Sequence, residues 1–189
     1  MDEAQLKALQ TEKYWRHQFT DPISYSGVLL IDMQDEFLRK FRDQSVVDDL
    51  VSAQSEVLDY CRENSFKVFV LEYLNFGETD QRIRKKLDGV DHRTVVKSSN
   101  DGFWRTDLLE VLSLSKISHI YAMGVNMDYC VLTTIESALL NGFEVSTAKT
   151  VISQPKYGRT GVLRIPNFRW FENNTNLYED HKNLDEILK

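Results

Sequence analysis

The sequence has little of what secreted or membrane-spanning proteins need. It has only two cysteines and three prolines in 189 residues, and Cys61 and Cys130 lie far apart without a C-x-x-C motif. A disulfide framework is therefore not expected. No apolar run approaches the roughly 20 residues of a membrane span, and the start, Met1-Asp2-Glu3, lacks the basic and apolar regions of a signal peptide. We expect a cytosolic protein with no membrane partner.

Basic clusters and metal-binding patterns are also missing. The net charge is −6 and no basic run alternates with aromatic residues, which argues against a nucleic-acid partner. The four histidines are scattered and do not show the spacing of zinc ligands. They are His17, His92, His119 and His181. We expect no metal and no cofactor.

The composition fits one enzyme-sized domain over residues 1–189, since 42% hydrophobic and 28% charged residues are ordinary for a globular chain. Runs typical of strands alternate with helical patterns, which predicts a three-layer α/β/α sandwich with a mostly parallel sheet of about six strands. The predicted strands are Val28–Ile31, Val68–Leu71, Thr94–Val96, Ile117–Ala122 and Phe143–Ser146. The predicted helices are Val46–Asn64, Thr79–Leu87, Thr106–Leu114 and Tyr129–Asn141.

The two ends of the chain look like additions to this core. Residues 1–25 predict a helical extension, with an amphipathic helix over Asp2–His17, and residues 154–189 predict a loop and a short helix, Leu184–Leu188. Prolines, glycines and aromatic residues between Gln154 and Asn176 suggest an ordered loop that serves as a lid, an interface or a cover for the sheet edge. Phe168–Phe171 is the candidate for the sixth strand.

Three polar residues follow predicted strands directly. Asp32 follows the first, Lys97 the third, and Cys130 opens a helical pattern after Gly124. Side chains at the carboxyl ends of parallel strands can converge in one crevice. Unpaired N–H groups in a first helical turn would favour the thiolate of Cys130. Singly, each residue has a plainer interpretation: a helix cap, a solvated charge and an inert core cysteine.

Three motifs resemble those of the isochorismatase-like cysteine hydrolases, a family that includes nicotinamidases, carbamoylsarcosine amidases and ureidoacrylate amidases. Leu30 to Phe37 resembles the family's first-strand motif, and Lys97 followed by Phe103, Thr106, Asp107 and Leu108 resembles the third-strand motif. Gly124 to Val131 is similar to the fourth. The motifs occur in the family's order and span most of the chain.

This resemblance implies a catalytic triad of Asp32, Lys97 and Cys130. It also implies a strand order of 3-2-1-4-5-6 and a homo-oligomer, a dimer or a tetramer. The thiolate would attack a carbonyl, Asp32 would carry the proton, and Lys97 would hold positive charge beside both. The backbone N–H groups of Asn126 and Cys130 would form the oxyanion hole, with a cis Val125–Asn126 peptide bond.

The expected substrate pocket is aromatic. Its candidate residues are Phe37, Tyr73, Phe103, Trp104, Arg105 and Tyr129. Arg105 stands where the family usually has a small residue, and it is either a fork for a substrate carboxylate or a surface arginine. Nicotinamidases carry metal-binding histidines after the second strand, whereas Glu72 to Gly77 here contains none. A metal-dependent nicotinamidase is therefore not expected.

These observations favour a cysteine hydrolase that cleaves a C–N bond of a small amide, imide or carbamoyl substrate through a covalent acyl-enzyme. Two alternatives stay open. One is a vinyl-ether hydrolase of the isochorismatase type, in which the aspartate acts as the acid and no thiol is needed. The other is a binding or assembly protein that kept the fold and lost the activity.

Overall fold

The computed structural model describes residues 25–155 and 167–188. The helix predicted over Asp2–His17 lies outside these residues, and so does part of the loop between Gln154 and Asn176. In the described part of the chain, no helix is both long and apolar enough to cross a bilayer.

The chain alternates strands and helices, as predicted. The strands are β1 (Tyr25–Ile31), β2 (Lys67–Tyr73), β3 (His92–Lys97), β4 (Ile117–Val125), β5 (Glu144–Ala148), β6 (Ile152–Ser153) and β7 (Asn176–Tyr178). The helices are α1 (Asp35–Leu38), α2 (Gln44–Asn64), α3 (Gln81–Leu87), α4 (Leu108–Leu114), α5 (Leu132–Leu140), α6 (Arg169–Asn174) and α7 (Leu184–Ile187). A π-helical segment, Met127–Val131, joins β4 to α5.

The seven strands form one sheet with the order β3-β2-β1-β4-β5-β7, and β6 pairs with the end of β4. Every pair is parallel, so the predicted three-layer α/β/α class is confirmed. The central strand β1 is buried from Ser26 to Ile31, as expected for a strand covered on both faces.

Helix α2 illustrates how the local sequence builds the layers. Asp43 caps its first turn, because its side chain accepts a hydrogen bond from the Ser45 N–H at 3.0 Å. Its buried stripe ends in Cys61, whose side chain is 0% exposed. The prediction that Cys61 is a core residue is therefore confirmed.

The sixth strand was predicted at the wrong place. Phe168 caps α6 and the next three residues form its start, while the sixth strand along the sheet is β7, which pairs with β5. Aromatic residues favour strands on propensity. In the helix, however, the rings of Phe168 and Phe171 lie on one face at 6.5 Å, and Phe171 is fully buried. Tertiary packing therefore overrides the local preference.

The turn after β4 depends on a glycine. Gly124 lies opposite Ile31 of β1 and has φ +152°. A Cβ atom there would lie only 2.2 Å from the Ile31 carbonyl oxygen, so no other residue fits without moving one of the strands. Asn126 then reverses the chain with φ +62°, a left-handed conformation that asparagine tolerates.

Candidate active site

The carboxyl ends of three strands bring together the three residues of the expected triad. Asp32 follows β1, Lys97 ends β3, and Cys130 lies in the π-helical segment after β4. The Nζ atom of Lys97 lies 2.9 Å from Oδ2 of Asp32, and both side chains are 0% exposed. Cys130 interacts electrostatically with both groups. Acid, cation and thiol thus share one buried site.

The buried ammonium of Lys97 has partners on three sides. Besides the Asp32 carboxylate, it donates a hydrogen bond to the Ser99 carbonyl oxygen at 3.0 Å. It also lies 4.6 Å from the centre of the Tyr73 ring, within the range of a cation–π contact. A buried charge needs such compensation, and these contacts hold the ammonium in one place.

Asp32 is held in an unusual environment. Its backbone is left-handed, with φ +55°, and its N–H donates to the Leu71 carbonyl oxygen at 3.0 Å. Its Oδ1 atom is buried and makes no well-formed hydrogen bond to any described residue. Burial raises the pKa of this carboxyl, although Lys97 and the Cys130 thiol oppose the shift. A carboxylate with a raised pKa and an unused acceptor is suited to take up a proton.

The surroundings of Cys130 favour its protonated, thiol form. Its side chain is only 3% exposed, and burial raises the pKa of the thiol to about 12, an effect to which the Asp32 carboxylate adds. The Lys97 ammonium lowers the pKa but does not outweigh them. Burial and the Asp32 carboxylate therefore oppose the thiolate that the first helical turn was expected to favour. Any reaction of the sulfur here would need a base to take up its proton.

Asn100 also contacts the sulfur, a role that the sequence did not reveal. The Sγ atom of Cys130 donates to Oδ1 of Asn100 at 3.5 Å, within the range of a hydrogen bond that involves sulfur. Asn100 lies three residues after Lys97, in the loop between β3 and α4. Its position close to the end of β3 could have pointed to a role in the site, but no motif distinguishes Asn100 from its neighbours.

The expected cis peptide bond is absent. No peptide bond among the described residues is cis, so the Val125–Asn126 bond is trans and that prediction is wrong. The chain reverses instead through the left-handed backbone of Asn126. The expected role of the Asn126 N–H as an oxyanion donor depended on the cis bond and loses that support.

Two of the expected pocket residues lie in an aromatic cluster beside Lys97. The rings of Phe37 and Tyr73 meet edge to face at 6.2 Å, and Phe76, which the sequence analysis missed, stacks on Phe37 at 4.6 Å. The Tyr73 hydroxyl donates to the Ser98 carbonyl oxygen at 3.0 Å. This cluster gives one side of the site an apolar wall.

The other four expected pocket residues do not form a single wall. Phe103 is buried and its ring lies 6.0 Å from that of Phe143, so it packs into the core. Trp104 and Tyr129 are 38% and 44% exposed. Arg105 is exposed, and its guanidinium lies 5.3 Å from the Trp104 ring. The arrangement matches the interpretation of Arg105 as a surface arginine.

The described residues contain no group of three or more histidine, cysteine, aspartate or glutamate side chains that could hold a metal ion. Glu72 accepts hydrogen bonds from the N–H and hydroxyl of Thr79 at 2.9 and 2.8 Å, and so closes a turn. His119 lies between the hydroxyls of Ser26 and Ser146. These groups have structural partners.

Comparisons with known proteins identify the family and the fold. The sequence from residue 26 to residue 153 matches the family model of the isochorismatase domain. The comparison with curated proteins returns no match. Solved structures with the same fold include an N-carbamoylsarcosine amidase from Thermoplasma acidophilum, with 15% identity, a TM-score of 0.68, and coverage of 84% of this chain and 99% of that one.

Two further structures show that this fold carries different activities. A nicotinamidase from Staphylococcus aureus has 20% identity and a TM-score of 0.62, over 69% of this chain and 86% of that one. A ribonuclease from Caenorhabditis elegans has 18% identity and a TM-score of 0.59, over 71% of this chain and 68% of that one. At such identities the likeness shows the fold alone. Since the family model spans more than half of the sequence, the chain belongs to the isochorismatase family.

Proposed function

We propose that the protein is a cysteine hydrolase that cleaves the C–N bond of a small amide, imide or carbamoyl compound. The observation that carries this proposal is the buried carboxylate of Asp32. One of its oxygens is paired with Lys97 at 2.9 Å, the other makes no well-formed hydrogen bond to a described residue, and the carboxyl interacts with the Cys130 thiol. A base without a strong second partner next to a nucleophile is the arrangement that covalent catalysis needs.

In the first half of the reaction, the sulfur attacks the carbonyl carbon while its proton passes to Asp32. The C=O electron pair moves to the oxygen, and a tetrahedral intermediate forms. When this collapses, the C–N bond breaks and protonated Asp32 gives its proton to the departing nitrogen. The products of this half are an amine or ammonia and an acyl group bound to Cys130.

The second half repeats the exchange with water. Asp32 accepts a proton from water as the oxygen attacks the acyl carbon, the C–S bond breaks, and the sulfur regains a proton. Lys97 stays beside the carboxylate and the sulfur throughout, because its contacts with Asp32, Ser99 and Tyr73 hold it in place. The N–H of Cys130, in the first turn of its helix, is the proposed oxyanion donor.

Unpartnered polar atoms support a polar, amide-like substrate. The Nδ2 atom of Asn126 and both amide atoms of Gln154 are buried without hydrogen bonds to described residues. These residues follow β4 and β6, which pair with each other, and therefore lie at the same edge of the sheet as Asp32. A carbamoyl group offers both the donors and the acceptors that would satisfy them.

The other functions have less support. Vinyl-ether hydrolysis needs no thiol, yet Cys130 is in contact with the acid and the cation. A ribonuclease must bind a polyanion, whereas the net charge is −6 and the sequence has no basic run. A silent binding protein would have no need to keep a buried ion pair, which costs desolvation energy.

A screen of small amides, imides and carbamoyl compounds for released ammonia or amine tests the proposal. Cys130→Ala is expected to abolish turnover. The matched control is Cys61→Ala, which removes the other free thiol from the core and should leave turnover unchanged. Full turnover of Cys130→Ala would favour the vinyl-ether alternative. No turnover by the wild type on any compound would favour the binding protein.

We also propose that the protein works as a cytosolic homo-oligomer. Both cysteines are free, as expected in a reducing compartment. Light scattering on the full chain measures the oligomeric state, and a monomer at micromolar concentration would contradict that part of the proposal.

A further inference from the structure

We propose that Asn100 is a further catalytic residue, whose carboxamide accepts the S–H of Cys130 at rest and then donates N–H to the sulfur once Asp32 has taken the proton. This proposal rests on the proposed role of Cys130 as a nucleophile. Its first observation is the contact itself, 3.5 Å between Sγ and Oδ1 of Asn100. Asn100 thus touches the reacting atom directly, in addition to the interactions of the sulfur with Asp32 and Lys97.

The side-chain type suits this double role. A carboxamide carries an acceptor and two donors on one planar group, and a half turn about the Cβ–Cγ bond exchanges them. A thiol needs an acceptor, whereas a thiolate needs donors. Because burial and the Asp32 charge both oppose formation of the thiolate, a neutral donor near the sulfur would help most at the moment when the proton leaves.

The loop that carries Asn100 is tied to the helix that follows the nucleophile. Thr134 of α5, one turn after Cys130, donates its hydroxyl to the Asn100 carbonyl oxygen at 3.1 Å. The same hydroxyl accepts the N–H of Gly102 at 3.0 Å. Ser137, further along α5, donates to Asp101 at 2.8 Å. Asn100 and the sulfur are therefore positioned by one rigid element.

The close approach of loop and helix is also built into the sequence. A Cβ atom at Gly102 would lie 2.5 Å from a methyl group of Leu71 and 3.0 Å from Cγ2 of Thr134. A side chain at position 102 would crowd both Leu71 and α5, so glycine suits this close approach. A loop that merely connected β3 to α4 would need neither this contact nor the three hydrogen bonds to side chains of α5. Preorganised groups of this kind are what an active site requires.

The test measures how fast iodoacetamide alkylates Cys130, with peptide mass spectrometry to separate it from Cys61. In this reaction the C–I bond breaks, the S–C bond forms and iodide leaves. At pH 9, below the thiol's raised pKa of about 12, the rate follows the thiolate fraction, so one unit in pKa equals about a tenfold change in rate. No knowledge of the substrate is needed.

Asn100→Asp should slow alkylation by at least about tenfold, because an ionised carboxylate can accept but cannot donate. Asn100→Ala should slow it less, by about threefold to tenfold. Ser98→Ala, an exposed change in the same loop, should keep the wild-type rate. The proposal is overturned if both Asn100 variants react as fast as the wild type. The series is repeated with methyl methanethiosulfonate, which transfers a smaller group to the sulfur and releases methanesulfinate.

Thr134 is a positioning residue in this scheme. Its variants distinguish an effect on the position of Asn100 from an effect on the stability of the protein. Thr134→Val removes the hydroxyl and should slow alkylation like Asn100→Ala, whereas Thr134→Ser should restore the rate at every pH. A rate that follows the melting temperature of the variants instead would contradict the proposal. If Cys130→Ala keeps its turnover, the proposed hydrolase mechanism fails, while the alkylation series still decides whether Asn100 acts on the sulfur.

Discussion

The Nζ atom of Lys97 and the Oδ2 atom of Asp32 lie 2.9 Å apart, and neither side chain is exposed to solvent. Such a pair contributes little net stability compared with apolar residues of the same size, because both charges lose their hydration. Its presence at the edge of the sheet where Cys130 lies is therefore better explained by chemistry than by folding. The following predictions separate these two roles.

The first prediction concerns stability. Lys97→Met should reduce the free energy of unfolding by about 3–5 kcal/mol, because it leaves the Asp32 carboxylate buried without its partner. The double variant Asp32→Leu, Lys97→Met should recover most of that loss. Lys86→Met is the matched control, since its pair with Asp59 is 40% and 30% exposed and should change stability by less than about 1 kcal/mol. Urea unfolding measures all four proteins, and equal losses at the buried and surface pairs would contradict the prediction.

The second prediction separates reactivity from turnover. The Asp32 carboxylate raises the pKa of the Cys130 thiol, so Asp32→Asn should lower that pKa and speed up alkylation by iodoacetamide at pH 8 about tenfold or more. Hydrolysis should fall by about 10²- to 10⁴-fold, because the base is lost. Asp35→Asn, an exposed change nearby, should alter neither rate. If alkylation and hydrolysis fall together, the carboxylate does not act on the sulfur in this way.

The third prediction concerns pH. Burial raises the pKa of Asp32 above the ordinary value of 3.8, and only the ionised form can accept the thiol proton. As the pH falls through this raised pKa, kcat/KM should therefore decline, with a midpoint above that of an ordinary aspartate. A pH–rate profile measures the midpoint, and Asp80→Asn, at a helix cap whose pKa is lowered, should leave it unchanged. A midpoint at or below 3.8 would argue against Asp32 as the base.

The fourth prediction concerns Gln154. Both of its amide atoms are buried without partners among the described residues, and each such atom costs free energy when no ligand is bound. Gln154→Leu should therefore stabilise the free protein by about 1 kcal/mol while KM for a carbamoyl substrate rises. Gln54→Leu is the control, because it removes a hydrogen bond to the Val151 carbonyl oxygen of 2.9 Å and should destabilise. An unchanged KM in Gln154→Leu would show that Gln154 does not bind the substrate.

Much of the fold was predictable because apolar runs of the right length mark buried parallel strands. The predicted strands over β1 to β5 are confirmed, with ends that differ by a few residues. The last strand was not predictable, since Phe168–Phe171 has a strand-like composition and forms a helix only because Phe171 is buried by the rest of the fold. Local propensity cannot show that contact.

The site was predictable in part for the same kind of reason. Residues that directly follow strands, such as Asp32 and Lys97, can be placed at one edge of a sheet from the sequence. The environment that shifts a pKa cannot be read from the local sequence, so the burial that raises the pKa of the Cys130 thiol was not anticipated. Asn100 and Phe76 lie in loops whose paths depend on tertiary contacts, and no local pattern marks either of them.

Gly124 has one more consequence. Asp32 comes directly after Ile31, and the chain that leads to Cys130 starts at Gly124, the residue whose backbone lies against Ile31. The distance between the acid and the nucleophile is therefore set by direct contact between two stretches of main chain, with no side chain between them that could move. Replacing one hydrogen atom at position 124 with a methyl group would lengthen that distance, although the substitution leaves all three reacting side chains intact.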